Sequence, residues 1–383
     1  MEPRPRRLPA GHLSLVAWIS GHGFGHWTRS EAVLSALSTE HPVHVRTSGR
    51  ALLLARKAPW AASVREVDTG PGVVQRGPLD VDVPATARRL AEHLERWEEV
   101  AARGAADARR LGARAVFADV PPVAFAVAAR AGLPAIAMAN FTWSWAYEHY
   151  VGQDPVYSRA VSRFREAERS ASGAIRLPGG GGLDVFPVGS APLALRRAPT
   201  CSRAEARRRL RALSGDSERP HLLVSFGGYG DALDLSAAAR SNPGWRVLSF
   251  ARPRATAPNL TVLPHDHDLP HQDLVYGADA VLAKPGYGTI SECLNGPTPL
   301  VYVEPGGGFR EHASLVELVR RWLPSAALPR ASLEAGAWGA ALRAAVAHRP
   351  PEAPPPPGTG KAVASIRTLL RGQLPLADVR RQD

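Results

Sequence analysis

Two cysteines, Cys201 and Cys293, in 383 residues cannot build a disulfide framework or a multi-thiolate metal site, so a reducing cytoplasm is the expected location. Lysine is nearly as scarce, with Lys57, Lys284 and Lys361 the three lysines among 47 basic residues. A net charge of +12 and a pI near 10.5 would permit nucleic acid or an anionic membrane as partner. Arginine used so one-sidedly, beside abundant Ala, Pro and Gly, instead reflects a coding bias, and EARRRLRAL at 205–213 reads as a solvated helix face. No nucleic-acid partner is expected. No apolar run reaches the roughly 20 residues of a membrane span, and the basic start runs into GHGFGH instead of a cleavage site. Peripheral contact at the inner membrane face stays open, although residues 60–84 carry no plainly basic amphipathic patch. There is no GxGxxG after the first strand of either half and no GxxxxGK[ST], which excludes the usual dinucleotide fingerprint and the P-loop.

What is present is an alternation of strands and helices, repeated twice. LSLVAWI, the helical TRSEAVLSALSTE and HPVHVRTSG form a strand–helix–strand unit of a parallel sheet. A long helical region over 85–112 leads to the buried strand ARAVFADVPP, then the helix VAFAVAARAG and the strand PAIAMAN, with AIRLPGG as a further short strand. The pattern restarts at HLLVSFGGYGD and continues through WRVLSF, LTVLPHD, ADAVLAKPGYGTISECLNG and PLVYVEPG. The expected organisation is a Rossmann-like acceptor domain over 1–190, an interdomain crossing over 191–215, a Rossmann-like donor domain over 216–348, a proline-rich linker over 349–360 and a C-terminal helix and tail over 361–383. Two such doubly wound α/β domains facing each other would form a cleft, with ligands at the carboxyl ends of the strands.

The glycine-rich turns fall at those ends. GHGFGH, 21–26, brings Gly23 and Gly25 close to whatever lies over the first sheet, with positive φ expected at Gly25. His26 is the candidate general base, Asp119 at a neighbouring strand end its candidate orienting carboxylate, and His22 a second base or sugar-binding donor. In the second half, Gly227, Gly228 and Tyr229 offer peptide N–H groups for a diphosphate. In AKPGYGTISE, Lys284 adds charge, Gly286 and Gly288 permit close approach, Thr289 supplies a hydroxyl, and Glu292 could accept hydrogen bonds from a ribose or simply complement a helix start. LPHDHDLPHQD, 263–273, has three histidines and three aspartates, but its spacing fits no zinc pattern, and no metal is expected. Trp143, Trp145 and Tyr147 would either stack on an acceptor or pack internally.

GHGFGH and KPGYGTISE, 284–292, resemble the corresponding segments of the GT-B superfamily of nucleotide-sugar glycosyltransferases, notably MurG-like enzymes. The first loop together with FADVPPVAFAVAARAGLPAIAMANFTWSW, 117–145, is more closely similar to the glycosyltransferase-like N-terminal region of plant L-arabinokinases. The resemblance implies a histidine at the cleft matching His26, diphosphate contacts matching Gly227, Gly228 and Thr289, and a ribose contact matching Glu292. Arg310, Glu311 and His312 stand where the family carries glutamines beside the donor sugar. The implied activity is sugar transfer from a nucleoside diphosphate, of UDP or dTDP type, to a hydroxyl of a small or lipid-like acceptor, inverting and metal-independent. A nucleotide-sugar hydrolase or phosphorylase, and a non-catalytic nucleotide-sugar-binding protein, are the alternatives.

Overall fold

The computed structural model describes residues 13–372 except 78, 188, 191–193, 228–232, 252–254, 265–266, 305 and 307. Gly228 and Tyr229 therefore lie outside the described residues. The chain divides into two units, one comprising residues up to Val74, Asp82–Leu195 and the stretch from Pro357, the other Gln75–Val81 and Arg196–Pro356.

The first unit contains β1 (Ser14–Ile19), β2 (Val43–Thr47), β3 (Ser63–Glu66), β4 (Ala113–Asp119), β5 (Ala135–Ala139) and β6 (Gly173–Arg176). They form a sheet in the order β3-β2-β1-β4-β5-β6, with every pairing parallel. β1 and β5 carry apolar side chains at successive positions because helices cover both faces of a parallel sheet, leaving no wet side for alternation. The second unit repeats the plan with β7 (His221–Ser225), β8 (Arg246–Ser249), β9 (Leu260–Val262), β10 (Ala280–Ala283), β11 (Leu300–Val303) and β12 (Ser325–Leu328), in the order β12-β11-β10-β7-β8-β9. The expected doubly wound sheets are both present. Two edge strands go beyond the sequence reading: β3, SVRE, and β12, SAAL, are four residues each, the first without an apolar run and the second with small side chains ahead of its one leucine.

The helical region expected over 85–112 is two helices, Val83–Glu95 and Trp97–Arg110, meeting at Arg96. The first starts where the Asp82 carboxylate accepts the Ala85 N–H at 2.9 Å. The unit boundaries also differ from the expected ones. Helix Arg203–Ser214, capped by Ser202 and read as part of an interdomain crossing, packs on helix His271–Gly277 within the second unit. Beyond the proline-rich stretch, helix Thr359–Leu370 docks on helix Gly25–Leu37 of the first unit, burying Ile366, Leu369 and Leu370, and Arg367 pairs with Glu40. Among the described residues, no helix is long and apolar enough to cross a membrane.

Residues 75–81 leave the first unit and fold into the second. Gln75 and Val81 pair as an antiparallel bridge, Leu79 enters the apolar core with Val224, Val301 and Trp338, and Arg330 grips both Asp80 carboxylate oxygens at 2.7 Å. The ion pair is half exposed and contributes little on its own; Leu79 supplies the attachment by excluding apolar surface from water. Leu79→Ala is expected to destabilise the second unit by about 2–5 kcal/mol, measured by denaturant unfolding. An unchanged midpoint would show that the segment is only draped on the surface.

Candidate functional site

β1 and β4 are neighbours in register, Ile19 opposite Asp119, and the Ser20 N–H bonds to the Asp119 carbonyl at 2.8 Å. The chain turns after Ile19 through the glycine loop into helix Gly25–Leu37, whose amino-terminal turns therefore stand over the end of β4. His26, Arg29 and Ser30 follow the i, i+3, i+4 spacing that places side chains on one helix face. All three reach Asp119. His26 Nδ1 lies 2.8 Å from Oδ1, Arg29 donates through Nε to Oδ2 at 2.8 Å and through Nη2 to Oδ1 at 2.5 Å, and Ser30 Oγ donates to Oδ2 at 2.7 Å. Arg29 also donates to the Asn140 Oδ1 at 2.6 Å, linking the group to the end of β5.

Asp119 has no solvent exposure, Arg29 3% and His26 6%. Burial by itself would raise the Asp119 carboxyl, but the Arg29 charge and hydrogen bonds, with His26 after them, hold it at about 2. The same unit contains the opposite case. Burial pushes the fully buried Glu168 up to about 8, because its hydrogen bonds come from the Ser144 hydroxyl and peptide N–H, not from a buried cation.

The glycines of the loop have separate jobs. A Cβ on Gly21 would fall 2.2 Å from Ser48 Oγ and 2.7 Å from the Ser48 carbonyl, so its close neighbour is the loop after β2. Positive φ occurs at Gly23, +72°, while Gly25 opens the helix; the positive φ expected at Gly25 belongs two residues earlier. His22 meets the edge of Trp143 at 5.5 Å between ring centroids. Trp143 also meets Phe141 and Tyr147, and the Tyr147 hydroxyl donates to the Gly72 carbonyl at 2.5 Å. Trp143 and Tyr147 are buried in this cluster, so they pack internally and present no open stacking wall; Trp145 is half-buried above Gly181 and Gly182.

In the second unit, Glu292 lies on helix Tyr287–Cys293 with 3% exposure. Arg197 Nη2 donates to its Oε1 at 2.9 Å, and His271 Nδ1 lies 2.6 Å from its Oε2. On the other side of the ring, His271 Nε2 is 3.0 Å from Ser225 Oγ, at the end of β7. Burial would raise the Glu292 carboxyl, but His271 and Arg197 hold it below its ordinary value. Lys284, just past β10, sits over the Phe309 ring at 5.4 Å, and Phe309 stacks on His312 at 4.7 Å. Burial, and then the Lys284 charge, push His312 down to about 3, so it is a neutral packing group at neutral pH. Among the described residues no group of three or more His, Cys, Asp or Glu side chains is arranged to hold a metal ion. His267 and His271 instead flank Phe250, with ring centroids at 5.5 and 6.4 Å.

No family model matches the sequence. An L-arabinokinase of Arabidopsis thaliana is 30% identical over 354 residues, covering 88% of this chain and 32% of that protein, so the chain spans about a third of the relative's length. Among solved structures, the calicheamicin glycosyltransferase CalG4 matches with a TM-score of 0.57 at 16% identity, covering 94% of each chain. The glycosyltransferase VinC in complex with dTDP matches at 0.54 and 14% identity, covering 95% of this chain and 97% of that one. MurG of Acinetobacter baumannii matches at 0.52 and 16% identity, covering 93% and 99%. The chain has the GT-B fold.

On this GT-B frame the sequence-predicted residues just described separate into four groups. His26 and Asp119 are in direct contact. Lys284, Gly286, Gly288 and Thr289 lie on one turn after β10, half-buried, with Gly286 at an ordinary φ of −107° and no atom closer than 4.0 Å to an added Cβ. Glu292 and His312 point inward, the former with both oxygens bonded inside its unit, so a ribose would have to displace Arg197 or His271. Arg310 and Glu311 are half-buried at the start of helix Glu311–Trp322. Sequence reasoning missed Arg29, Ser30 and Asn140, and in the second unit Arg197 and Ser225; it considered His271 only within LPHDHDLPHQD, as one of three histidines weighed for a metal. For Arg29 and Ser30 a signal existed in HWTRS, where polar groups recur at helical spacing.

The low value at Asp119 carries a sign. Its contribution to stability is present above the ordinary carboxylate value of 3.8 and is lost as pH falls towards about 2. Asp119→Asn leaves Arg29 buried without a counter-charge and is expected to cost about 3–5 kcal/mol. It should also flatten the dependence of unfolding midpoint on pH in that window, measured by urea titration at pH 2.5–5. A wild-type slope retained in the variant would assign the acid sensitivity to another carboxylate.

Proposed function

We propose that this protein is a nucleotide-sugar-dependent glycosyltransferase, transferring a sugar from a nucleoside diphosphate of UDP or dTDP type to a hydroxyl of a small or lipid-like acceptor. The observation that carries the reading is the His26–Asp119–Arg29 cluster at the carboxyl end of the first sheet. His26 Nδ1 faces the buried pair, 2.8 Å from Asp119 Oδ1 and 2.9 Å from Arg29 Nη2, which leaves Nε2 as the nitrogen directed away from the cluster and the one assigned the proton-accepting role. Arg29 neutralises Asp119, so the carboxylate orients the ring more than it adds basicity.

The reaction is inverting and needs no metal. The acceptor oxygen forms a bond to the anomeric carbon as its proton passes to Nε2 of His26, and the carbon–oxygen bond to the diphosphate breaks on the opposite face. Negative charge then collects on the departing diphosphate. Lys284, the Thr289 hydroxyl and the peptide N–H groups around Gly227, Gly286 and Gly288 are the groups that stabilise it. Gly228 and Tyr229 belong to the same proposed set. Arg310 and Glu311 remain as donor-sugar contacts, while His312 acts by supporting Phe309 and Lys284.

His26→Ala is expected to retain nucleoside-diphosphate binding and to lose transfer by about a hundredfold or more. Release of nucleoside diphosphate, followed with donor and acceptor at saturation, measures this. Near-wild-type turnover would remove His26 as the base and make His22 the next candidate. In the same assay, release without an acceptor at the full rate identifies a hydrolase. Lys284→Ala should weaken UDP or dTDP binding while leaving the free nucleoside unaffected; equal losses by calorimetry would assign Lys284 a structural role.

A further inference from the structure

Helix Trp143–Glu148 has six residues, too few to hold an orientation by its own hydrogen bonds. Its first residue nevertheless packs on both candidate bases, the Trp143 indole lying 5.5 Å from the His22 ring and 6.3 Å from the His26 ring between centroids. The direction of that indole is therefore set from outside the helix. Thr142 Oγ1 accepts the Trp145 N–H at 3.2 Å, and the Tyr147 hydroxyl donates to the Gly72 carbonyl. The third anchor is Glu168, on helix Pro155–Arg169 and with no solvent exposure. The Ser144 N–H donates to its Oε1 at 3.3 Å and the Ser144 hydroxyl to its Oε2 at 2.5 Å. The peptide group it holds is the one that joins Trp143 to Ser144.

An enclosed carboxyl costs stability, and an apolar side chain of similar size would fill the space without that cost. What the acid adds is its pair of bonds to Ser144. Burial pushes Glu168 up to about 8, so it is a neutral acid at neutral pH. The charges acting on it, Arg165 on its own helix and Glu148 on the short helix, oppose each other and are themselves paired. A neutral acid brings no charge towards His26. Position is what it transmits.

We propose that Glu168 is a positioning residue for His26: it fixes the Trp143–Ser144 peptide and so holds the indole that packs against both candidate bases. Its catalytic consequence rests on the glycosyltransferase reading above. Asp119 faces one nitrogen of the His26 ring, and Glu168 sets the wall beside that ring.

The test uses the full chain. Glu168→Leu removes the bonds while filling the space, and Glu168→Gln keeps size, neutrality and hydrogen-bonding capacity. Where Glu168→Leu does not fold, Ser144→Ala takes its place, removing the shorter bond from the helix side. With isotope-labelled histidine, the ring resonances of His22 and His26 are assigned through His22→Gln and His26→Gln; a displaced indole changes the ring current felt by both. Both resonances should move in Glu168→Leu and return to their wild-type positions in Glu168→Gln, while those of His271 and His312 stay in place. With donor and acceptor at saturation, Glu168→Leu should lower kcat for nucleoside-diphosphate release by about tenfold or more. Its dissociation constant for UDP or dTDP should be unchanged, and Glu168→Gln should restore kcat. Unmoved His22 and His26 resonances in Glu168→Leu, or a Glu168→Gln variant no better than Glu168→Leu, overturn the proposal. Nucleotide affinity lost in step with kcat also overturns it, by showing general damage. A wild type that binds neither nucleotide overturns the glycosyltransferase reading, and the resonances then decide by themselves whether Glu168 holds Trp143 on the two histidines.

Discussion

A carboxylate with no exposure to water, such as Asp119 at the end of β4, is held in its charged form only if a buried cation and several donors surround it. Arg29 is that cation, and three side chains from one helix face converge on the two oxygens. Much of the first unit's site geometry depends on this pairing. It ties helix Gly25–Leu37 to β4, ties β4 through Arg29 to Asn140, and fixes which nitrogen of His26 faces inward. The aromatic cluster of Phe141 and Trp143 packs against the same imidazole, closing its sides to other orientations. The glycine loop supplies the turn that makes the convergence possible, with Gly21 lying too close to Ser48 for any side chain.

The second unit uses a related device with a different outcome. Glu292 is also buried and also paired with an arginine, yet its second oxygen holds an imidazole whose far side leads to a strand-end serine. In one unit the ion pair stops at the histidine; in the other the chain of bonds continues outward to a hydroxyl. Both place half-buried or nearly buried polar groups at the carboxyl ends of parallel strands, where the loops of this architecture collect. Charge that looks abundant in the sequence is thus divided between solvated helix faces and a few buried arginines with defined partners.

Several features were readable from local sequence because their causes are local. Near-continuous apolar runs such as LSLVAWI and ARAVFADV form central strands wherever they are placed in a parallel sheet, and the restart at HLLVSFGG announces a second sheet. Gly23 and its neighbours announce a turn because only glycine readily takes φ of +72°. Strand β3 sends no apolar signal because SVRE buries none of its four residues fully at the sheet edge, and β12 is only four residues of mostly small side chains.

The sequence by itself determined the two α/β halves and the placing of His26 directly after a strand-end glycine turn. Tertiary structure alone decided the partners. Arg29 finds Asp119 across 90 residues and Arg197 finds Glu292 across 95, because strand order and register carry distant segments to the same sheet end. It also decided that residues 75–81 belong with the second unit, where Leu79 finds a core that its own neighbours in sequence do not offer. Burial then determined which polar groups face outward. A carboxylate pattern in sequence cannot distinguish Glu292 bonded on both oxygens from one open to a ligand, since that depends on whether Arg197 and His271 arrive beside it.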